Sequence, residues 1–259
     1  MADEQFLAVP GARLRYQVRG AGPVLLLIPG GAMESAAFTG LAEDLAADHT
    51  VVTYDSRGIS GSTREDPDAD ITVDTQADDA ARLLAAVTDE PAFVFGSSGG
   101  AITGLALTAR HPGLVRVLVA HEPPVTTLLP DFGGDDELAV IYRRDGVDAA
   151  MAKFMEIAEL DGPEPDPAEY ARMRANFAVF LGHMIEEIGA FEPDVDALVS
   201  ASTRVVLGSG AGSSADQPAR LAADAVAKLL DTQTVLFPGD HVGFAADPAG
   251  FAAKLREVL

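Results

Sequence analysis

The sequence predicts an α/β architecture: a doubly wound, mostly parallel sheet of eight strands, helices on both faces, and an all-helical cap inserted between two strands. Three observations carry the prediction. Short apolar runs alternate with helical periodicities along most of the chain. That alternation stops between about Thr127 and Asp196, where only helical patterns occur. One apolar run, Ala92-Phe93-Val94-Phe95, passes through Gly96-Ser97-Ser98-Gly99-Gly100 directly into a helical pattern, as a tight strand-to-helix corner would.

Taken in order, Phe6 to Val9, the Pro10-Gly11 turn and Arg13 to Arg19 form a hairpin, its second arm alternating with period two. Val24 to Ile28 is a continuous apolar run, the mark of a strand covered on both faces. It gives way to Pro29-Gly30-Gly31-Ala32-Met33, after which Phe38, Leu41 and Leu45 recur at helical spacing between Glu34 and Ala47. Thr50 to Tyr54 is a strand, Asp55 to Ser62 a loop, and Thr75 to Val87 a helix. Beyond Ser98, Ala101 to Arg110 is a helix stopped by Pro112-Gly113, and Val115 to Val119 is a strand.

Two long helical patterns follow, from about Glu137 to Leu160 and from Pro167 to Phe191. Between them Asp161-Gly162-Pro163-Glu164-Pro165-Asp166 is too rich in proline to be helical. Asp166 as N-cap, Pro167 at N1 and Glu169 at N3 mark the start of the second helix. The strand Thr203 to Leu207, a helix from about Gln217 to Leu230, the strand Thr234 to Phe237 and a helix from Pro248 to Leu259 complete the chain. The core then comprises residues 1–126 and 197–259, and the cap residues 127–196. Right-handed crossovers place the C-terminal ends of the parallel strands along one rim.

Composition narrows the function. With 40 acidic against 18 basic residues, the net charge of −22 opposes binding to nucleic acid or to an anionic membrane. There are no cysteines, which excludes disulfides, thiolate metal sites and a cysteine nucleophile. The acidic start Met1-Ala2-Asp3-Glu4 is unlike a signal peptide, and the Val24 to Ile28 run is far short of the ~20 residues of a membrane span. The expectation is a cytoplasmic protein, monomer or homodimer, whose partner is a small molecule.

The chemistry starts at Ser98. In Gly-x-Ser-x-Gly the serine is held at a strained corner, and only glycine fits two residues before it and two after, here Gly96 and Gly100. A phosphate cradle is the competing reading, but no lysine follows and the Gly-x-Gly-x-x-Gly spacing is absent. A serine hydroxyl needs a base, and an imidazole serves best when a carboxylate orients it. His241 lies in a loop after the last strand, which is where chain order puts the base in this architecture.

Two carboxylates are candidates for the acid. The penultimate strand is followed by Gly208 to Gly212, with no acid before Asp216, whereas Glu122 directly follows the strand ahead of the cap and is preferred. The amide of Gly99 and that of Gly31 or Ala32 are the candidate oxyanion donors. Met33 and the cap residues Phe154, Met155, Phe177, Phe180 and Met184 are candidates for an apolar substrate wall, although such a stripe also serves to seal a cap onto a core.

These segments resemble the α/β-hydrolase superfamily over essentially the whole chain, through Pro29-Gly30-Gly31, Asp55-Ser56-Arg57-Gly58, Gly96-Ser97-Ser98-Gly99-Gly100 and Gly239-Asp240-His241. His121-Glu122-Pro123 is similar to the matching part of zearalenone lactonases, capped members whose triad acid is a glutamate after the strand preceding the cap. The resemblance implies an α/β-hydrolase fold, a Ser98, Glu122, His241 triad, and Gly31 and Gly99 as oxyanion donors. The leading reading is a serine hydrolase, without metal or organic cofactor, that cleaves a carboxylic ester or lactone through an acyl-enzyme, and the apolar cap argues for a hydrophobic substrate. A C–C hydrolase or perhydrolase on the same fold, or a sensor protein that retains the pocket without turnover, are the alternatives.

Overall fold

The computed structural model describes residues 4–130, 132, 134–160 and 165–259. Residues 161–164 of the proline-rich connection and residues 1–3 of the acidic start lie outside the described residues. The strands are β1 (Glu4–Val9), β2 (Ala12–Arg19), β3 (Val24–Ile28), β4 (Thr50–Tyr54), β5 (Thr63–Arg64), β6 (Ala92–Ser97), β7 (Val115–His121), β8 (Arg204–Gly210) and β9 (Val235–Phe237). Eight of them run in the order β1-β2-β4-β3-β6-β7-β8-β9, antiparallel at β1-β2-β4 and parallel from there on. The ninth, β5, is a two-residue addition to the edge of β2, too short to leave a periodicity in sequence.

Helices cover both faces. On one side lie α2 (Val73–Val87), α3 (Gly99–Arg110) and α9 (Pro218–Leu229), and on the other α1 (Thr39–Leu45), α10 (Gly243–Ala246) and α11 (Pro248–Val258). Strand β3 shows why its run is continuously apolar. Leu26 and Ile28 pack with the first helical layer, Leu25 and Leu27 with the second, so both pleat faces are buried. The second layer closes on an aromatic cluster, Phe38, Phe95, Phe244 and Phe251, with ring centroids 4.9 to 6.1 Å apart.

Between β7 and β8 the described residues hold only helical elements: a 3₁₀ turn (Thr126–Leu128), α4 (Gly134–Asp145), α5 (Val147–Ile157), α6 (Pro167–His183), α7 (Ile185–Gly189) and α8 (Val195–Ser200). Each of the two long helices expected here is broken once. Gly146 takes φ +88°, a left-handed conformation open to glycine, and separates α4 from α5. Met184, at φ −128° and ψ −33°, ends α6 before α7 begins. The start of α6 is as expected, with the Asp166 carboxylate accepting from the amides of Ala168 and Glu169 at 2.8 and 2.9 Å. Several hydrogen bonds tie this helical layer to the core's loops, among them Ser60 N–H to Asn176 Oδ1 (2.9 Å), Ile71 N–H to His183 O (2.8 Å) and Gln217 Nε2 to Ala158 O (3.3 Å). No helix among the described residues is long and apolar enough to cross a membrane.

Candidate active site

Ser98 occupies the corner between β6 and α3 with φ +55° and ψ −124°, a conformation that costs about 1–3 kcal/mol for a residue other than glycine. The surroundings enforce it. A Cβ on Gly96 would lie 2.3 Å from the carbonyl oxygen of Gly100, and one on Gly100 would lie 2.3 Å from that of Ile28, so neither position admits a side chain. The Ser98 amide donates to the carbonyl of His121 at 2.9 Å and fastens the corner to β7.

Glu122 follows β7 directly, also in the left-handed region at φ +46°. It is fully buried. Its amide donates to the Gly208 carbonyl at 2.9 Å, its Oε1 accepts from the Gly210 amide at 2.8 Å, and its Oε2 lies 2.6 Å from His241 Nδ1. Burial alone would raise its pKa. The bond to His241 and the neighbouring charges outweigh burial and hold the carboxyl down at about 2. A carboxylate only accepts, so Nδ1 carries the hydrogen, which leaves Nε2 as the acceptor of the neutral imidazole. Asp216, the other candidate acid, is exposed on the loop after β8 and has no part in this pair.

His241 itself is held by the turn after β9, where Gly239 stands at φ +79° and a Cβ would meet Gly243 Cα at 2.5 Å. Ser98 and His241 line two cavities together. The larger, about 530 Å³, is walled by Ala32, Met33, Phe154, Met155, Met173 and Phe177 among others. The smaller, about 60 Å³, is bounded by Gly31, Gly99, Phe154 and Phe180 on the near side and by residues of α7 and α9 beyond. Phe154, Phe177 and Phe180 meet edge to face, centroids 5.2 to 6.1 Å apart; Phe154 lines both spaces, Phe177 only the larger and Phe180 only the smaller.

The candidate oxyanion residues also converge. Gly99 opens α3, so its amide is among those a helix leaves unpaired. A Cβ there would lie 3.2 Å from the amide nitrogen of Gly31, so that nitrogen stands beside the start of α3. Ala32 lines the larger cavity only. Met184 is the one candidate wall residue outside both linings: where α6 ends, its side chain is turned into the core, 1% exposed.

Several lining residues gave no sequence signal of their own. Asn176 and Arg172 border the larger cavity from α6. Asn176 Nδ2 donates to Ser60 Oγ at 2.9 Å, and Arg172 Nε to Glu34 at 3.1 Å. A polar residue inside the apolar Met173-Phe177-Phe180 stripe was the available clue to Asn176.

The α/β-hydrolase fold model matches residues 23–143, which span β3, the Ser98 corner and Glu122. The uncharacterized hydrolase YraK of Bacillus subtilis strain 168 is 36% identical over 258 residues, covering 98% of this chain and 94% of that protein. The zearalenone hydrolase of Bionectria ochroleuca is 32% identical over 116 residues, 44% of each chain. Among solved structures, the enol-lactonase from Burkholderia xenovorans LB400 superposes with a TM-score of 0.73 at 20% identity, covering 98% of this chain and 99% of its own. By near full-length kinship with a hydrolase and by the match of residues 23–143 to the α/β-hydrolase fold, this chain is a hydrolase belonging to the α/β-hydrolase superfamily.

Proposed function

We propose that this hydrolase cleaves a carboxylic ester or lactone of a hydrophobic small molecule through an acyl-enzyme on Ser98. The observation that carries the reading is the 2.6 Å pair of His241 Nδ1 and Glu122 Oε2 beside a serine that lines the same cavities. His241 Nε2 takes the Ser98 proton as Oγ bonds to the acyl carbon, and the carbonyl electrons move onto oxygen. The amides of Gly31 and Gly99 receive that oxyanion. Collapse expels the alcohol, protonated by His241. Water then repeats the sequence and releases the acid; for a lactone, alcohol and acid leave as one molecule.

The Phe154, Phe177 and Phe180 cluster supports an apolar or aromatic substrate. The names of the zearalenone hydrolase and the enol-lactonase support a lactone or ester bond. A fluorophosphonate probe, followed by peptide mapping, tests the nucleophile, and p-nitrophenyl esters of graded length with a panel of lactones test the bond. Labelling at Ser98 with acyl-ester turnover is the expected result. An unlabelled, folded protein inert to every acyl donor would replace this reading with a small-molecule binding protein on the same fold.

A further inference from the structure

Gln217 is 2% exposed and stands at the N-cap of α9, ahead of Pro218, yet its side chain caps nothing. Its Nε2 donates to the Ala158 carbonyl at 3.3 Å, just past α5. Its Oε1 is buried without a hydrogen-bond partner. The amide is fixed in this sense, because a carbonyl only accepts and the nitrogen must face Ala158. Of the buried side-chain polar atoms left without a partner among the described residues, Gln217 Oε1 alone belongs to a residue lining a cavity that reaches Ser98.

That cavity is the smaller one, which Gln217 and Ala158 line together with Ser98, Gly31, Gly99 and His241. Its far wall is apolar, with Leu138, Ile157, Ile185 and Ile188. By the same measure a single water needs about 10–15 Å³, so about 60 Å³ takes a short chain of some four heavy atoms. An acceptor that the protein itself leaves unpaired discriminates between ligands: a group that donates to it makes a hydrogen bond the empty protein lacks, and a methyl in the same place makes none.

We propose that the shorter of the two arms flanking the scissile carbonyl enters this cavity and carries a hydrogen-bond donor, a hydroxyl or an amide N–H, that Gln217 Oε1 accepts. The inference rests on the ester or lactone hydrolase reading and narrows its substrate class. The longer apolar arm lies in the larger cavity against Met33, Met155 and Phe177.

Two isosteric ester pairs test it, one for each arm. The acyl pair is p-nitrophenyl β-hydroxybutyrate against p-nitrophenyl isovalerate, and the alcohol pair is ethylene glycol monohexanoate against propyl hexanoate. With each kcat/KM divided by the hydroxide-catalysed rate, the hydroxyl ester of one pair is favoured by at least about tenfold in the wild type. Gln217→Met, and separately Gln217→Leu, bring that ratio close to one. No preference in either pair, as when a water stays on Gln217, overturns the proposal, and so does a preference that survives both substitutions. Should no ester turn over, the hydrolase reading fails on its own. Calorimetric binding of the same esters then reads the donor preference directly, and equal affinities overturn the proposal.

Discussion

Glu122 meets His241 across 119 residues of chain and over the end of an intervening strand, since β8 lies between β7 and β9. The backbone of that strand supplies the bridge: the Gly208 carbonyl takes the Glu122 amide, and the Gly210 amide donates to the carboxylate. The acid thus reaches the histidine from one strand further away than the end of β8 would require. Glu122→Gln keeps the shape but offers His241 Nδ1–H an amide in place of a charge. Turnover is expected to fall on the order of 10³–10⁴-fold with thermal unfolding still cooperative. Asp216→Asn, on an exposed loop, leaves turnover within about twofold; steady-state kinetics on one activated ester compare the two.

Neighbouring glycines of the corner separate folding from catalysis. At Gly96 an added methyl would sit 2.3 Å from a backbone oxygen, so Gly96→Ala is expected to cost on the order of 3 kcal/mol of stability. At Gly99 it would sit 3.2 Å from the Gly31 amide nitrogen and from Ile188 Cδ1, a distance small shifts relieve. Gly99→Ala therefore folds, and kcat falls about 10²-fold or more as the methyl intrudes on the oxyanion donors. Urea unfolding and kcat measured on both variants give opposite rankings.

Acid sensitivity arises behind the site as well as in it. His121 is fully buried among Phe95, Phe237 and Phe251, and neither ring nitrogen has a partner. Burial pushes its pKa down from 6.5 to about 4. The unfolded chain binds this proton at a higher pH than the folded one, so stability is lost as pH falls from about 6.5 to about 4. The depressed Glu122 carboxyl acts in a lower window: its contribution is full above about 4.5 and disappears as pH falls toward about 2. His121→Phe flattens the upper part of the midpoint-against-pH profile and leaves the lower part, as calorimetry across that range would record.

The loop after β4 rests on an ion pair. Arg57 makes a two-pronged contact with the buried Asp79 of α2, at 2.6 and 2.7 Å. Arg57→Met strands that carboxylate and is expected to destabilise by about 3–5 kcal/mol. Arg57→Met combined with Asp79→Leu recovers most of the loss, and a double-mutant cycle in urea measures the difference.

Much of this arrangement is legible in the residues. The strands were readable because burial on both faces leaves unbroken apolar runs such as Val24 to Ile28. Ser98, Glu122 and His241 stood out because each directly follows a strand or ends the turn after one, and the structure gathers them on one rim. The helix breaks at Gly146 and Met184 were not legible, since apolar spacing continues through both. Gln217 was also hidden. Its meaning depends on the Ala158 carbonyl 59 residues away, and no local pattern records a partner that distant. The edge-to-face meeting of Phe154, Phe177 and Phe180 beside Ser98 likewise depends on angles that periodicity does not encode.

Glu122 sits at the root of the helical layer, two residues ahead of Pro124 and before any of its helices begins. The carboxylate bonded to the imidazole therefore precedes every helix of the lid, while Gly31, Ala32 and Met33 of the cavity wall come earlier still. A transplanted lid joined downstream of Pro124 would leave the hydrogen-bonded Glu122–His241 pair in place.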